Sequence, residues 1–477
     1  MIRSAKNGVE QTAFFNEKSV MVIVPHPDDE INVAGGLIAW LYEHKIKTTV
    51  VYTTNGNYRG KGGKRLREAI DSITTLGGNE NDIVWLGYSD HSANEKTHVY
   101  MEPLEWQDRF GKKQTYLCGG TAHEFCFLRS GVHHDQNRAS FIADIRQCVA
   151  SARPDVIVCV DFDSHPDHRA ASLGFEHALG ELLKNGDYQP TVFKAFAYPT
   201  GYGGKKDFFS GELKNTAYNP ERFADPRFEN PYYSWDERSR FEVSEKAKEL
   251  FLPDNTLYRA LRCHKSQNVS ERADRIINAD QVAWQRRTDN LLMRAGLWAS
   301  SGETQYLNDF LLFDCSNIMN GYSERPRFDL GAWIPEASDE RPTIRIEFDN
   351  PEEFDRLCLY RRIADGFIRK IRLVFDGKTE MEFSDQSEDL VWKIRFDSIR
   401  AKTVEIHVLA RESDEAGLTE IELLRGDGVS LRPVESREPA PGPARLKIIF
   451  ALDKLILFWQ RAFHSLRRRF QKKTNQY

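Results

Sequence analysis

From Lys18 to Ile157, short β-branched apolar runs alternate with longer segments whose apolar residues recur at spacings of three and four. That alternation is the signature of strand–helix–strand units built around a parallel sheet. Strands are predicted at Ser19–Val24, Thr48–Thr53, Ile83–Leu86 and Asp155–Val160, with crossover helices at Glu30–Glu43, Lys64–Leu76 and Arg138–Ala152. Residues 89–137 show neither period and are rich in Gly, His, Tyr and Gln, which predicts either a lid over a site or a disordered insertion. After Val243 a helical pattern resumes and continues through Leu292.

Near Phe313 the period changes to two. Thr343–Phe348, Ile371–Phe375, Lys393–Phe396 and Thr403–Val408 alternate apolar and polar residues and are punctuated by Asp365-Gly366 and Asp376-Gly377. Such runs predict an antiparallel β-sandwich. The expected fold is therefore α/β: a Rossmann-like, mostly parallel sheet with flanking helices (residues 1–312), then an antiparallel β-sandwich of jelly-roll type (313–428). A Pro-rich linker (429–444) and a basic amphipathic helix (445–477) follow.

Composition narrows the class. The 477 residues include 40% hydrophobic and 29% charged positions, as in a soluble globular chain. A net charge of -5 leaves no overall basic field for nucleic acid, so no nucleic-acid partner is expected. Seven scattered cysteines, none in a CxxC pair, fit a reducing compartment rather than a disulfide framework. The polar first 18 residues and the lack of a long uncharged apolar run lead to an expected cytoplasmic location.

The first predicted strand ends in Val24-Pro-His-Pro-Asp-Asp-Glu30 and the fourth in Asp161-Phe-Asp-Ser-His-Pro-Asp-His168. Both clusters fall where parallel strands deliver their carboxyl ends, the crevice in which open α/β sheets bind ligands. His26, Asp29 and His168 can converge there as two imidazoles and one carboxylate, which leaves zinc a fourth, open position. Iron(II) or another divalent ion accepts the same donors. Asp28 and His165 remain beside the ion for proton traffic. Asp167, between the two histidines, is a candidate to orient a ligand.

These residues resemble the paired motifs of the PIG-L/LmbE-like deacetylases, zinc hydrolases that remove N-acetyl groups from N-acetylglucosamine-containing conjugates. Thr54-Asn-Gly56, Arg65-x-x-Glu68 with Leu76-Gly77, Leu86-Gly-Tyr-Ser-Asp90 and Ala260-Leu-Arg-Cys-His-Lys-Ser-Gln267 follow in the order of that family, over about residues 18–295. The resemblance implies zinc ligation by His26, Asp29 and His168. It also implies a general base at Asp28, and at His165 a group that stabilises the oxyanion and acts as acid. Arg65, Asp90 and His264 are further substrate-binding candidates; for Arg65 the alternative is an ion pair with Glu68, and for His264 a buried hydrogen bond. Asp163 stands where some members carry a tyrosine.

Gly417-Leu-Thr-Glu-Ile-Glu-Leu423 resembles the closing strand of galactose-binding-like jelly rolls, which hold glycans in some proteins and are structural in others. In the tail, Trp459, Phe463, Leu466 and Phe470 form one helical stripe among nine Lys/Arg and one acid from Arg445 to Lys473. A Trp/Phe stripe beside clustered arginines predicts an interfacial helix on an anionic membrane, peripheral on its inner face; docking onto protein is the alternative. The expected partner is an N-acetylated amino-sugar conjugate, lipid-linked or otherwise presented there. The rival functions are a soluble small-molecule glycoside amidase of the same family and a non-catalytic glycan-binding membrane adaptor.

Overall fold

The computed structural model describes residues 10–91, 98–101, 107–120, 123–197, 202–203, 215–218, 230–249, 252–267, 273–313, 331–429, 431 and 455. The expected linker and tail helix lie almost wholly outside these residues.

The first unit is a seven-stranded sheet. Its strands are β1 (Ser19–Val24), β2 (Lys47–Thr54), β3 (Ile83–Tyr88), β4 (Val156–Val160), β5 (Thr191–Ala195), β6 (Ser239–Glu242) and β7 (Asp280–Arg286). Their spatial order is β3-β2-β1-β4-β5-β7-β6. The first five strands in chain order run parallel, while β7 and β6 close one edge antiparallel. All of β4 and all but the first residue of β1 are buried, because helices cover both faces, and these strands therefore read as unbroken apolar runs.

The helices α1 (Asp29–Glu43), α2 (Gly62–Leu76), α3 (Arg138–Ala152) and α4 (Pro166–Lys184) supply the cover. Helix α1 packs closely against the strand edge at Gly36, where a Cβ would come 2.4 Å from Val243 Cγ1. The chain leaves β1 toward β2 on one side and returns to β4 on the other. The carboxyl ends of β1 and β4 thus flank the switch point of the sheet.

One expectation needs correction. Among the described residues of 244–292, α-helix is confined to Thr256–Leu261 and Ala273–Ile276, with 3-10 turns at Glu245–Ala247 and Leu291–Arg294, whereas Asp280–Arg286 is a strand between β5 and β6. A short run with apolar residues on both faces cannot be typed by periodicity, and pairing on both edges decides it. No described helix is long and apolar enough to cross a membrane.

The second unit is an antiparallel sandwich of β8 (Gly296–Ala299), β9 (Thr343–Arg361), β10 (Ile368–Phe375), β11 (Thr379–Ser384), β12 (Val391–Arg411) and β13 (Leu418–Leu424). Strands β9 and β12 pair along most of their length and bend at register shifts between Glu347/Glu352 and Phe354/Arg356, so one ladder serves both layers. The core includes Ile344, Phe354, Leu357, Leu373, Ile406 and Ile421. Strand β8 precedes residue 313 in sequence and pairs with β9, while Phe310–Phe313 pack back into the first core.

Strand β13 joins the units, and every one of its residues is buried. Leu418, Ile421 and Leu423 enter the sandwich core. Glu422 instead pairs with Arg286 and accepts from Tyr360 Oη at 2.9 Å, while Glu420 accepts from the Phe310 N–H at 3.1 Å. The Gly417–Leu423 motif therefore carries a buried polar joint to the α/β unit.

Candidate metal centre and active site

Strand β1 ends in a loop that β2 holds in place. The Thr54 N–H and hydroxyl both donate to the Pro25 carbonyl, at 3.0 and 2.8 Å. Gly56 adopts φ 63, and a Cβ there would lie 2.9 Å from Pro27 Cγ, so the Thr54-Asn-Gly56 turn can lie against the loop only with glycine. Asp28 follows with φ 137, a conformation that an L-residue keeps only when its surroundings over-determine it. Glu30 does so by accepting the Asp28 N–H at 2.9 Å through Oε2. Its Oε1 accepts from Ser72 Oγ at 2.7 Å and lies 2.8 Å from His264 Nε2.

Asp29 opens α1 and meets two imidazoles. Its Oδ2 lies 2.8 Å from His26 Nδ1 and 3.2 Å from His168 Nε2. A tetrahedral ion with bonds of about 2.0–2.2 Å separates its ligand atoms by about 3.3–3.6 Å, and both of these contacts are somewhat shorter than that. Each ring is oriented from behind by a carboxylate: His168 Nδ1 is 2.7 Å from Asp163 Oδ2, and His26 Nε2 is 2.9 Å from Asp167 Oδ2. Asp167 is held in turn by His91, whose N–H donates to Oδ2 at 2.7 Å. His26, His165 and His168 also present ligand atoms within 4.8 Å of one another, as do His26, Asp90 and Asp167. The described residues thus include His/Asp groups able to hold a metal.

Residues 21–179 match the family described as PIG-L: GlcNAc-PI de-N-acetylase. This stretch is a PIG-L-family domain. No curated protein matches the chain. Similar solved structures include the family 32 CBM from C. perfringens NanJ in complex with galactose, at 17% identity and TM-score 0.22, covering 27% of this chain and 92% of that one. A Streptococcus pneumoniae fucose binding module is 15% identical at TM-score 0.24, covering 29% of this chain and 98% of that one. Chitosan-binding module 1 from a Paenibacillus sp. IK-5 chitosanase/glucanase is 16% identical at TM-score 0.22, with 28% and 98% covered.

The PIG-L-family domain gathers buried acid around its centre. Asp28, Asp29, Asp90, Asp163 and Asp167 are all buried, with Arg65 and Arg169 among them. Such a cluster needs further positive charge, from protons or from a cation. Burial alone would lower the pKa of His168, yet Asp163 and Asp29 outweigh it and raise it to about 9. His26 is likewise raised, against burial, by Asp90, Asp167 and Asp29. His165 behaves in the opposite way, because burial and the neighbouring His26 and His168 push its pKa well down. It is therefore neutral. Its Nδ1 accepts the Asp167 N–H at 3.2 Å, which leaves the ring proton on Nε2.

The remaining candidates fall into two groups. Arg65 reaches the site: it pairs with Asp90, and its Nη2 lies 3.6 Å from Asp28 Oδ1. Glu68, its alternative partner, instead accepts from the Ser266 N–H and hydroxyl at 2.9 and 2.6 Å. Asp90 Oδ1 also faces His26 Nε2 at 3.6 Å. His264 is fully buried with its Nε2 2.8 Å from Oε1 of Glu30, the residue whose Oε2 accepts the Asp28 N–H. Sequence reasoning gave no role to Glu30, His91 or Asp163. For Asp163 the available signal was a carboxylate five residues before His168, just past the end of β4.

Proposed function

We propose that the protein is a metal-dependent hydrolase that removes the N-acetyl group from an N-acetylglucosamine-type sugar in a glycoconjugate. The observation that carries this reading is Asp29 Oδ2 lying against both His26 Nδ1 and His168 Nε2, inside a PIG-L-family domain. His26, Asp29 and His168 would hold the ion, zinc by its donor preference, with iron(II) as the other candidate. When bound, such an ion supplies Lewis acidity that polarises the acetamide carbonyl and lowers the pKa of water.

The side chains divide the rest of the work. Asp28 takes the proton of the attacking water, and its strained backbone fixes where that carboxylate sits. The His165 Nε2–H donates to the developing oxyanion. The carbonyl C–N bond then breaks as the proton held by Asp28 passes to the departing nitrogen, leaving acetate and a free amino sugar. Arg65, tied to Asp90, places a fixed positive charge beside Asp28 where a sugar hydroxyl or phosphate can bind.

Incubating metal-loaded protein with a panel of N-acetylglucosamine conjugates, lipid-linked and soluble, tests the reading through released acetate. At least one conjugate is expected to yield stoichiometric acetate and free amine; none doing so would defeat it. A preference for lipid-linked over soluble glycosides separates the membrane-presented substrate from the small-molecule alternative.

The tail motivates the membrane part of the proposal, with a net charge of +8 from Arg445 to Lys473 in a chain of net -5. Basic groups near an anionic leaflet contribute about 1 kcal/mol each. Deleting residues 444–477 is expected to release the protein from anionic vesicles, and high salt to weaken binding by screening. Hydrolysis of a small soluble substrate should stay nearly unchanged. Equal co-sedimentation of full-length and truncated protein would instead favour a tail docked on protein.

A further inference from the structure

A second group of metal-ligating side chains forms where the irregular insertion meets the sheet. Cys126, on the short helix Phe125–Ser130, and Asp144, on α3, are buried, whereas His134 is half-buried. Their thiol, imidazole and carboxylate ligand atoms all lie within 4.8 Å of one another. His134 Nδ1 stands 2.8 Å from Asp144 Oδ1, the spacing that His26 Nδ1 keeps from Asp29 Oδ2.

The three side chains are held from outside the cluster. Tyr88 Oη donates to Asp144 Oδ2 at 2.7 Å, which leaves Oδ1 facing His134. Thr115 Oγ1 lies 3.3 Å from Cys126 Sγ and accepts the His134 N–H at 3.1 Å. Supporting hydrogen bonds of this kind fix ligand orientation before an ion arrives.

We propose that Cys126, His134 and Asp144 bind a second divalent cation of the zinc class, which fastens the insertion to helix α3 where Tyr88 of β3 meets it. A thiolate with an imidazole and a carboxylate selects zinc-like ions over magnesium or calcium, which want oxygen alone. The partly exposed His134 ring leaves a path of entry.

The position gives this ion a consequence. Tyr88 ends β3 and leads directly into Ser89 and Asp90. The Ser89 N–H donates to Gln136 Oε1 at 2.9 Å and its hydroxyl lies 3.2 Å from Asp108 Oδ2, both insertion residues. Asp90 then grips Arg65. An ion on Asp144 therefore stiffens the segment that carries Asp90.

Cobalt(II) distinguishes this site from the first, because a thiolate–cobalt bond gives a near-ultraviolet charge-transfer band and the His26/Asp29/His168 set contains no sulfur. Metal-free, full-length protein titrated with cobalt(II) should take up about two ions per chain, with the band saturating at about one equivalent. Cys126→Ser and His134→Gln should each lose the band and one ion. His26→Ala should keep the band and lose the other ion, so failure of one site is separable from failure of the other. His134 is half-buried, so His134→Gln remains informative if Cys126→Ser does not fold. Absence of the band at saturation in the unaltered protein, or its survival in either variant, overturns the proposal.

Discussion

Asp28→Ala is expected to retain its metal yet lower kcat for acetate release by at least about a hundredfold, the loss that follows removal of a positioned base. Asp28 is not one of the three proposed ligands, so metal content should not change. Its carboxylate sits beside Arg65, and its backbone is held at φ 137 by Glu30. His165→Ala should cost kcat on a similar scale, because a neutral ring whose Nδ1 accepts the Asp167 N–H offers its Nε2–H to an oxyanion. The two variants should fall mainly in kcat rather than KM, since both groups act on charge that develops in the transition state. Near-normal turnover by metal-loaded Asp28→Ala would place the base elsewhere.

What the sequence reveals of this site follows from how each feature is encoded. Strands β1 and β4 are legible because central parallel strands must be apolar throughout. The two motifs are legible because their histidines and acids stand at the ends of those runs. Arg138–Ala152 is legible to the residue from its three-and-four apolar spacing, and Asn137 caps it by accepting the Ser140 N–H. Asp280–Arg286 is not, because its strand character comes from β5 and β6, which lie far away in sequence. Glu30, His91 and Asp163 are missed for the same reason. A carboxylate behind a ligand has no spacing rule of its own, and its role exists only once His168 or Asp28 has been brought to it. The β13 joint adds a further case: nothing local marks Glu420 and Glu422 as buried, and their burial comes from Phe310 and Arg286, which lie far away in sequence.

Metal uptake should expel protons, and its pH dependence has a definite sign. In metal-free protein, carboxylates raise the His168 pKa to about 9 and hold His26 well above the ordinary histidine value. Both rings therefore carry protons at neutral pH that an incoming cation must displace. Affinity should rise with pH through about 9 and fall as the solution is acidified, because protons then compete more effectively. Titrating zinc into weakly buffered, metal-free protein at pH 7 should release at least about one proton per ion bound at this site. Asp163→Ala removes the carboxylate 2.7 Å behind His168 and should weaken zinc binding by about 10–100-fold against a competing chelator. Asp29→Ala, which removes the oxygen shared by both rings, should lose binding at this site and acetate release together. Cys126→Ser background protein confines these measurements to the first centre. Undiminished zinc affinity in Asp29→Ala would show that the ion is held by other donors, with His26, Asp90 and Asp167 as the next set to test.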